Sequence, residues 1–226
     1  MDLLSEYTHK SRQIKDRLNL FKRFYTEDAV WAYSNGSLVL VPSKANANER
    51  LFEEMCFCIL AANGTAVSSM KAVEASRHIL MEGSVAEIQA ALRSSGVRFH
   101  NRAEYIVYNR ENLKKDYGFD IKGLVESYPD RFGLRNYLAL YIKGFGYKEA
   151  SHFLRNIGIS GLAILDKHIL RSMHELGIIP DVPKSLARRR YLETEQAYLD
   201  MSRSLKIDPD ELDLLLWSIK NGQILK

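Results

Sequence analysis

Lys148 and Asp166 are the residues in this chain whose types and settings suit covalent chemistry. Lys148 closes the stretch Ile142-Lys-Gly-Phe-Gly-Tyr-Lys148, which runs on through Glu-Ala-Ser-His-Phe-Leu to Arg155. Glycine in a helix interior costs ~1 kcal/mol against alanine, so Gly144 and Gly146 predict a tight reversal rather than a continuous helix. Beyond it Ala150, Phe153, Leu154 and Ile157 recur at helical spacing, so a second helix starts near Tyr147. Lys148 then lies in a first helical turn, where the positive end of the helix dipole disfavours an ammonium and favours the free amine of Schiff-base chemistry. Asp166 precedes the amphipathic run Ile169, Leu170, Met173, Leu176, where an N-cap belongs. A loop through Gly158 and Gly161 is expected to bring the two helix starts together, amine beside carboxylate. Helix, Gly-Phe-Gly turn and helix, over about residues 134–157, make a helix-hairpin-helix. Its N–H groups suit a nucleic-acid phosphate.

The elements around this pair are mostly helical. Residues 3–25 carry Ile14, Leu18, Phe21 and Tyr25 on one helical face. Ser34-Asn-Gly-Ser37 predicts a turn, Leu38–Val41 a short strand, and 43–48 a linker. From Glu49 to Ala62 a helix buried on most sides follows, ending at Asn63, which by itself reads as a turn residue. Thr65 caps a helix to about Met81, and Ser84 with Glu87 forms a capping box for one ending near Gly96. Asn101 and Glu104 suggest another box. Phe99, in the loop ahead of it, lies outside any helical stripe and reads either as a core plug or as a stacking platform. A helix over 131–142, with Phe132, Leu138 and Ile142 apolar, leads into the hairpin. Lys184 and Arg188 to Arg190 concentrate charge before a helix running to about Leu205; such a run is either a solvated face or a phosphate contact. Asp208-Pro209 opens a last helix with Leu212, Leu215, Leu216 and Ile219 as its buried stripe, and Gly222 stops it. Trp217 in that run adds core area. Strand periodicity is almost absent after residue 48, so the expected fold is all-α.

With 226 residues, 46% hydrophobic and 27% charged, the chain suits one globular protein or two small domains. A net charge of +4, from 32 basic and 28 acidic residues, permits DNA binding only through a local basic surface. No apolar run reaches the ~20 residues that span a bilayer, and the first residues lack the order of a secretory signal. An intracellular protein of cytoplasm or nucleoid, without a membrane partner, is expected. Cys56 and Cys58 are the only cysteines; at that spacing they suit buried thiols rather than a disulfide, a zinc site or an iron–sulfur cluster. No metal site is expected.

The hairpin run together with Ile164-Leu-Asp-Lys-His-Ile-Leu-Arg171 resembles the helix-hairpin-helix superfamily of DNA glycosylases, and more narrowly the type-2, archaeal-type 8-oxoguanine DNA glycosylase/lyases. Cys56-Phe-Cys-Ile-Leu-Ala-Ala-Asn63, Arg98-Phe-His-Asn-Arg-Ala-Glu-Tyr-Ile-Val107, Arg188-Arg-Arg-Tyr-Leu-Glu-Thr-Glu195 and Lys226 extend the match over about 48–226, with residues 1–47 less alike. The resemblance implies a single unit over 1–226, built of two packed helical lobes with the active site between them. It implies an enzyme that flips 8-oxoguanine out of duplex DNA, excises it through a Lys148 Schiff base, and cuts the strand by β-elimination. Asp166 would stabilise positive charge at the sugar. Phe99 and Trp217 would sandwich the base, the Lys226 carboxylate would read its edge, and Asn63, Gly144, Gly146 and Arg188 would meet the DNA. No organic cofactor is implied, although the hairpin carbonyls are able to hold a monovalent cation; a monomer is expected. Two alternatives stay open: a glycosylase for another damaged or mismatched base, and a non-catalytic DNA-binding module. Mismatch and alkyl-specific relatives usually lack the hairpin lysine, and a binding module has no use for a Lys148–Asp166 pair.

Overall fold

The computed structural model describes residues 2–226, and among them eleven α-helices and one two-stranded hairpin. Helix α1 (Leu3–Thr26) leads into β1 (Ala29–Ser34) and β2 (Ser37–Pro42). The two strands pair antiparallel with Ser34 opposite Ser37, so Asn35 and Gly36 alone make the turn. Both have positive φ, 49° and 78°, the geometry for which Asn-Gly is favoured in a two-residue hairpin loop. β1 is an addition to the expected elements: Ala29, Val30 and Trp31 are all buried and give no alternating pattern.

Next come α2 (Ala47–Ala61), α3 (Ala66–Ser76), α4 (Val85–Ser94), α5 (Ala103–Tyr117) and the short α6 (Ile121–Glu126). Asn46 caps α2 in a reciprocal box with Glu49, two residues earlier than the linker through Asn48 predicts. Asn48 instead accepts the Lys122 N–H at 2.8 Å, which ties down α6, an element with too few residues to show periodicity. Thr65 caps α3 and Ser84 boxes α4 with Glu87, as expected. α3 tightens into a 3-10 turn at Arg77–Ile79 instead of running on to Met81. Asn101 and Glu104 form no capping box. The chain enters α5 through a 3-10 turn, His100–Arg102, so the cap position, Arg102, is already helical and no side chain is needed there.

α7 (Arg131–Tyr141) and α8 (Tyr147–Asn156) flank the glycine turn; α9 (Lys167–Glu175), α10 (Arg188–Leu205) and α11 (Pro209–Asn221) complete the chain. Phe132 is not one of the buried positions of α7. It is 42% exposed beside the guanidinium groups of Arg131 and Arg135, while Leu134 and Leu138 face inward.

Two compact units share the chain: the chain up to Arg23 with Leu154–Lys226, and Phe24–Phe153. The core of Phe24–Phe153 is built on α2, whose residues from Arg50 to Leu60 are all buried. Cys56 and Cys58 lie there, and burial pushes the Cys56 thiol well up, away from reactivity. The other unit buries Ile14, Phe21, Ile169, Met173, Tyr198 and Leu212. It also buries an ion pair between Arg155 and Asp213, with the Arg155 guanidinium 5.2 Å from the Phe21 ring. No helix among the described residues is long and apolar enough to cross a membrane.

Candidate active site

Gly144 is fixed as glycine twice over. Its φ of +94° strains any side chain, and a Cβ there would lie 2.9 Å from Tyr105 Cδ2. The turn closes with the Phe145 N–H donating to the Ile142 carbonyl at 3.0 Å. Phe145 is buried, its ring 6.0 Å from that of Phe153, which pins the turn against α8. A second clamp comes from Asn109 on α5. Its side-chain amide donates to the Lys143 carbonyl at 2.9 Å, and its oxygen accepts the Lys143 N–H at 2.8 Å. Asn109 is 1% exposed, so its half of this reciprocal pair is shielded from water, while Lys143 itself is exposed. The Lys143 ammonium lies over the rings of Tyr105 and Tyr108, at 5.2 and 4.8 Å.

Lys148 is the second residue of α8, in the first turn as expected. The carboxylate it meets within its own unit is that of Glu149: Nζ is 3.0 Å from Oε1, with the two side chains 23% and 15% exposed. The other oxygen, Oε2, accepts the Gly146 N–H at 3.2 Å. Arg102 belongs to the same cluster. Burial lowers its guanidinium from the ordinary value, and the Glu149 charge acts against that. One Arg102 nitrogen donates to the carbonyls of Ile59 and Leu60 at the end of α2, at 2.6 and 3.1 Å. The same guanidinium lies 4.5 Å from the centre of the Phe99 ring, with that of Arg98 at 5.3 Å. Phe99 is half-buried at the head of its 3-10 turn, stacked on charge rather than sunk as a core plug. Asn63 follows α2 in the left-handed region, φ +55°, and is exposed.

Asp166 caps α9. Its Oδ1 accepts the N–H groups of His168 and Ile169, each at 2.8 Å, and Oδ2 takes no hydrogen bond among the described residues. Half-buried, it thus presents one carboxylate oxygen for other use. Arg188 opens α10 and is exposed. Its neighbours Arg189 and Arg190 pair with Glu193 and Asp181, whereas Arg188 forms no ion pair among the described residues. Trp217 is half-buried on α11, and Gly222 stops that helix at φ +75°. The tail is not frayed: Leu225 and Lys226 are only 5% and 6% exposed. No group of three or more His, Cys, Asp or Glu side chains among the described residues is arranged to hold a metal ion.

Sequence reasoning passed over Glu149, Arg102 and Asn109. Asn109 did leave a signal, an asparagine on the buried stripe between Ile106 and Leu113. Glu149 stands at the box position after Gly146. Adjacent residues on a helix do not face each other, so spacing gives no hint of its pairing with Lys148.

The sequence profile of the 8-oxoguanine DNA glycosylase family matches residues 41–207. The 8-oxoguanine DNA glycosylase/AP lyase of Methanocaldococcus jannaschii is 41% identical over 184 residues, 81% of this chain and 86% of the relative. That of Fusobacterium nucleatum is 35% identical over 224 residues, 97% of this chain and 94% of its own length. The crystal structure of the Methanocaldococcus jannaschii 8-oxoguanine glycosylase/lyase in complex with a 15mer DNA containing 8-oxoguanine superposes with a TM-score of 0.83. It covers both chains completely at 35% identity. The helix-hairpin-helix, its lysine and these likenesses agree: the chain belongs to the 8-oxoguanine DNA glycosylase family.

Proposed function

We infer that the protein excises 8-oxoguanine from duplex DNA and then cuts the strand by β-elimination. The observation that carries this reading is Lys148 in the first turn after the Gly-Phe-Gly hairpin, in a chain 41% identical to a glycosylase/AP lyase. A base within a duplex is out of reach, so the damaged nucleotide is flipped out. The neutral Lys148 amine attacks C1′, the N-glycosidic bond breaks, and the base leaves with the bonding electrons. Ring opening gives an imine, which acidifies C2′–H so that elimination expels the 3′ phosphate. The open oxygen of Asp166 stabilises positive charge developing at C1′. Phe99 and Trp217 stack on the base, and Lys226 in the buried tail meets its edge. Asn63 approaches the gap in the duplex, while Gly144, Gly146 and Arg188 meet phosphates.

The amine route needs no redox or organic cofactor. A monovalent cation on the hairpin would use the carbonyls of Ile142 and Lys143; each accepts one hydrogen bond already and retains a second lone pair. The protein acts as a monomer. Borohydride trapping on an 8-oxoguanine duplex tests the whole reading. A covalent protein–DNA adduct mapping to Lys148 is expected. Excision without any adduct would leave a glycosylase that lacks the lysine mechanism, and binding with neither would leave a DNA-binding module.

A further inference from the structure

Glu149 touches two parts of the proposed machinery at once. Oε1 lies 3.0 Å from Lys148 Nζ, and Oε2 accepts the Gly146 N–H at 3.2 Å. A glutamate that bonds back to the residue before its helix is an ordinary half of a capping box, and helix stability accounts for the Gly146 contact. It does not account for the second oxygen, which lies on the reactive amine. Nor does it account for Arg102, a cation on which the Glu149 charge acts and whose guanidinium lies over Phe99.

We propose that Glu149 is the positioning residue of Lys148: it holds the amine in the DNA-free protein and releases it when the hairpin takes a phosphate. The inference rests on Lys148 being the attacking amine. An amine tied to a carboxylate must leave it before its nitrogen can approach a carbon. A phosphate oxygen arriving at the Gly146 N–H competes with Oε2 for the donor and repels the carboxylate. Arg102 offers that carboxylate a cation to move toward. Docking of the backbone and readiness of the nucleophile are coupled through one side chain, so the lysine stays restrained until DNA is present.

Glu149→Gln separates the two duties, because an amide oxygen still accepts the Gly146 N–H but carries no charge for Lys148. The DNA-free proteins are treated with formaldehyde and cyanoborohydride, and methylation of each lysine is followed by peptide mass spectrometry. Lys148 in the variant should react roughly two- to fivefold faster than in the parent, the range expected from releasing a partly exposed ion pair, with the other lysines unchanged. With a duplex bearing an abasic site as the aldehyde, the two proteins should trap at similar rates, since the phosphate has already displaced Glu149. Equal methylation of Lys148 in both proteins overturns the proposal. So does an advantage that persists undiminished on the duplex. Glu149→Asp draws the charge back by one methylene and should give an intermediate rate; it serves as the test if the glutamine variant does not fold. If the glycosylase reading itself fails, the parent will not trap abasic DNA at all, while the formaldehyde comparison still reports on the Lys148–Glu149 contact.

Discussion

At the scale of single residues, the reading rests on two side chains whose removal should have different signatures. Lys148 is part-exposed and bonded to Glu149, and the hairpin that carries it is held by Phe145 and Asn109 rather than by the lysine itself. Lys148→Gln should therefore fold and bind duplex DNA nearly as well as the parent, yet give no excision and no borohydride adduct. A reducible adduct in that variant would assign the chemistry to another amine. Asp166 has a structural duty as well, accepting two N–H groups at the start of α9 through one oxygen. Asparagine caps about as well as aspartate, so Asp166→Asn should leave the melting temperature nearly unchanged. Single-turnover excision should fall by roughly 10²–10³, the usual cost of losing a group that stabilises developing charge. A large fall in stability with excision intact would reduce Asp166 to a cap. The cap was legible in the sequence, because an aspartate before an amphipathic run has few other uses. The Lys148–Glu149 contact was not, because side-chain rotation rather than sequence spacing brings those neighbours together.

At the scale of elements, the legible parts were those whose ends carry polar punctuation. Thr65, Ser84, Asp208 with Pro209, and Gly222 each mark a helix end where the structure has one. The missed parts were those with no local signature. β1 is a wholly buried start of strand, α6 is six residues long, and the turn before α5 replaces a cap by a change of helical pitch. The hairpin belongs to both groups. Gly144 and Gly146 announced its turn, but the residue that holds it, Asn109, lies 34 positions away from Lys143 and was visible only as a polar intruder in an apolar stripe. Asn109→Ala removes both hydrogen bonds to the Lys143 backbone, which at the usual net value of a hydrogen bond should cost about 1–3 kcal/mol in chemical denaturation. It should also weaken binding to lesion and undamaged duplexes alike, since the turn presenting the phosphate donors loosens. Unchanged stability would mean that water replaces the amide and that the clamp contributes little.

At the scale of the whole molecule, charge decides how the protein can hold DNA. A surplus of +4 over 226 residues gives little general attraction for a polyanion, so affinity must come from particular cations. Many of the arginines are already committed. Arg50 pairs with Asp28, Arg77 with Glu53, Arg155 with Asp213, and Arg203 with Asp200. In the basic run that opens α10, Arg189 and Arg190 also have acidic partners, which offset their charge, while Arg188 at the first position of the helix is exposed without one among the described residues. The sequence showed the run but could not rank its members, because the ranking depends on where Glu193 and Asp181 lie in space. Arg188→Ala should therefore lower affinity for 8-oxoguanine and undamaged duplexes by the same factor. It should also reduce the slope of log K against log salt by about one, as expected for losing one phosphate contact. Arg189→Ala, whose charge is offset by a residue one helical turn on, should change that slope less. Titrations of both variants across a series of salt concentrations, scored by fluorescence anisotropy, check this. Equal slopes for Arg188→Ala and the parent would return the run to a solvated helix face and leave phosphate binding to the hairpin backbone.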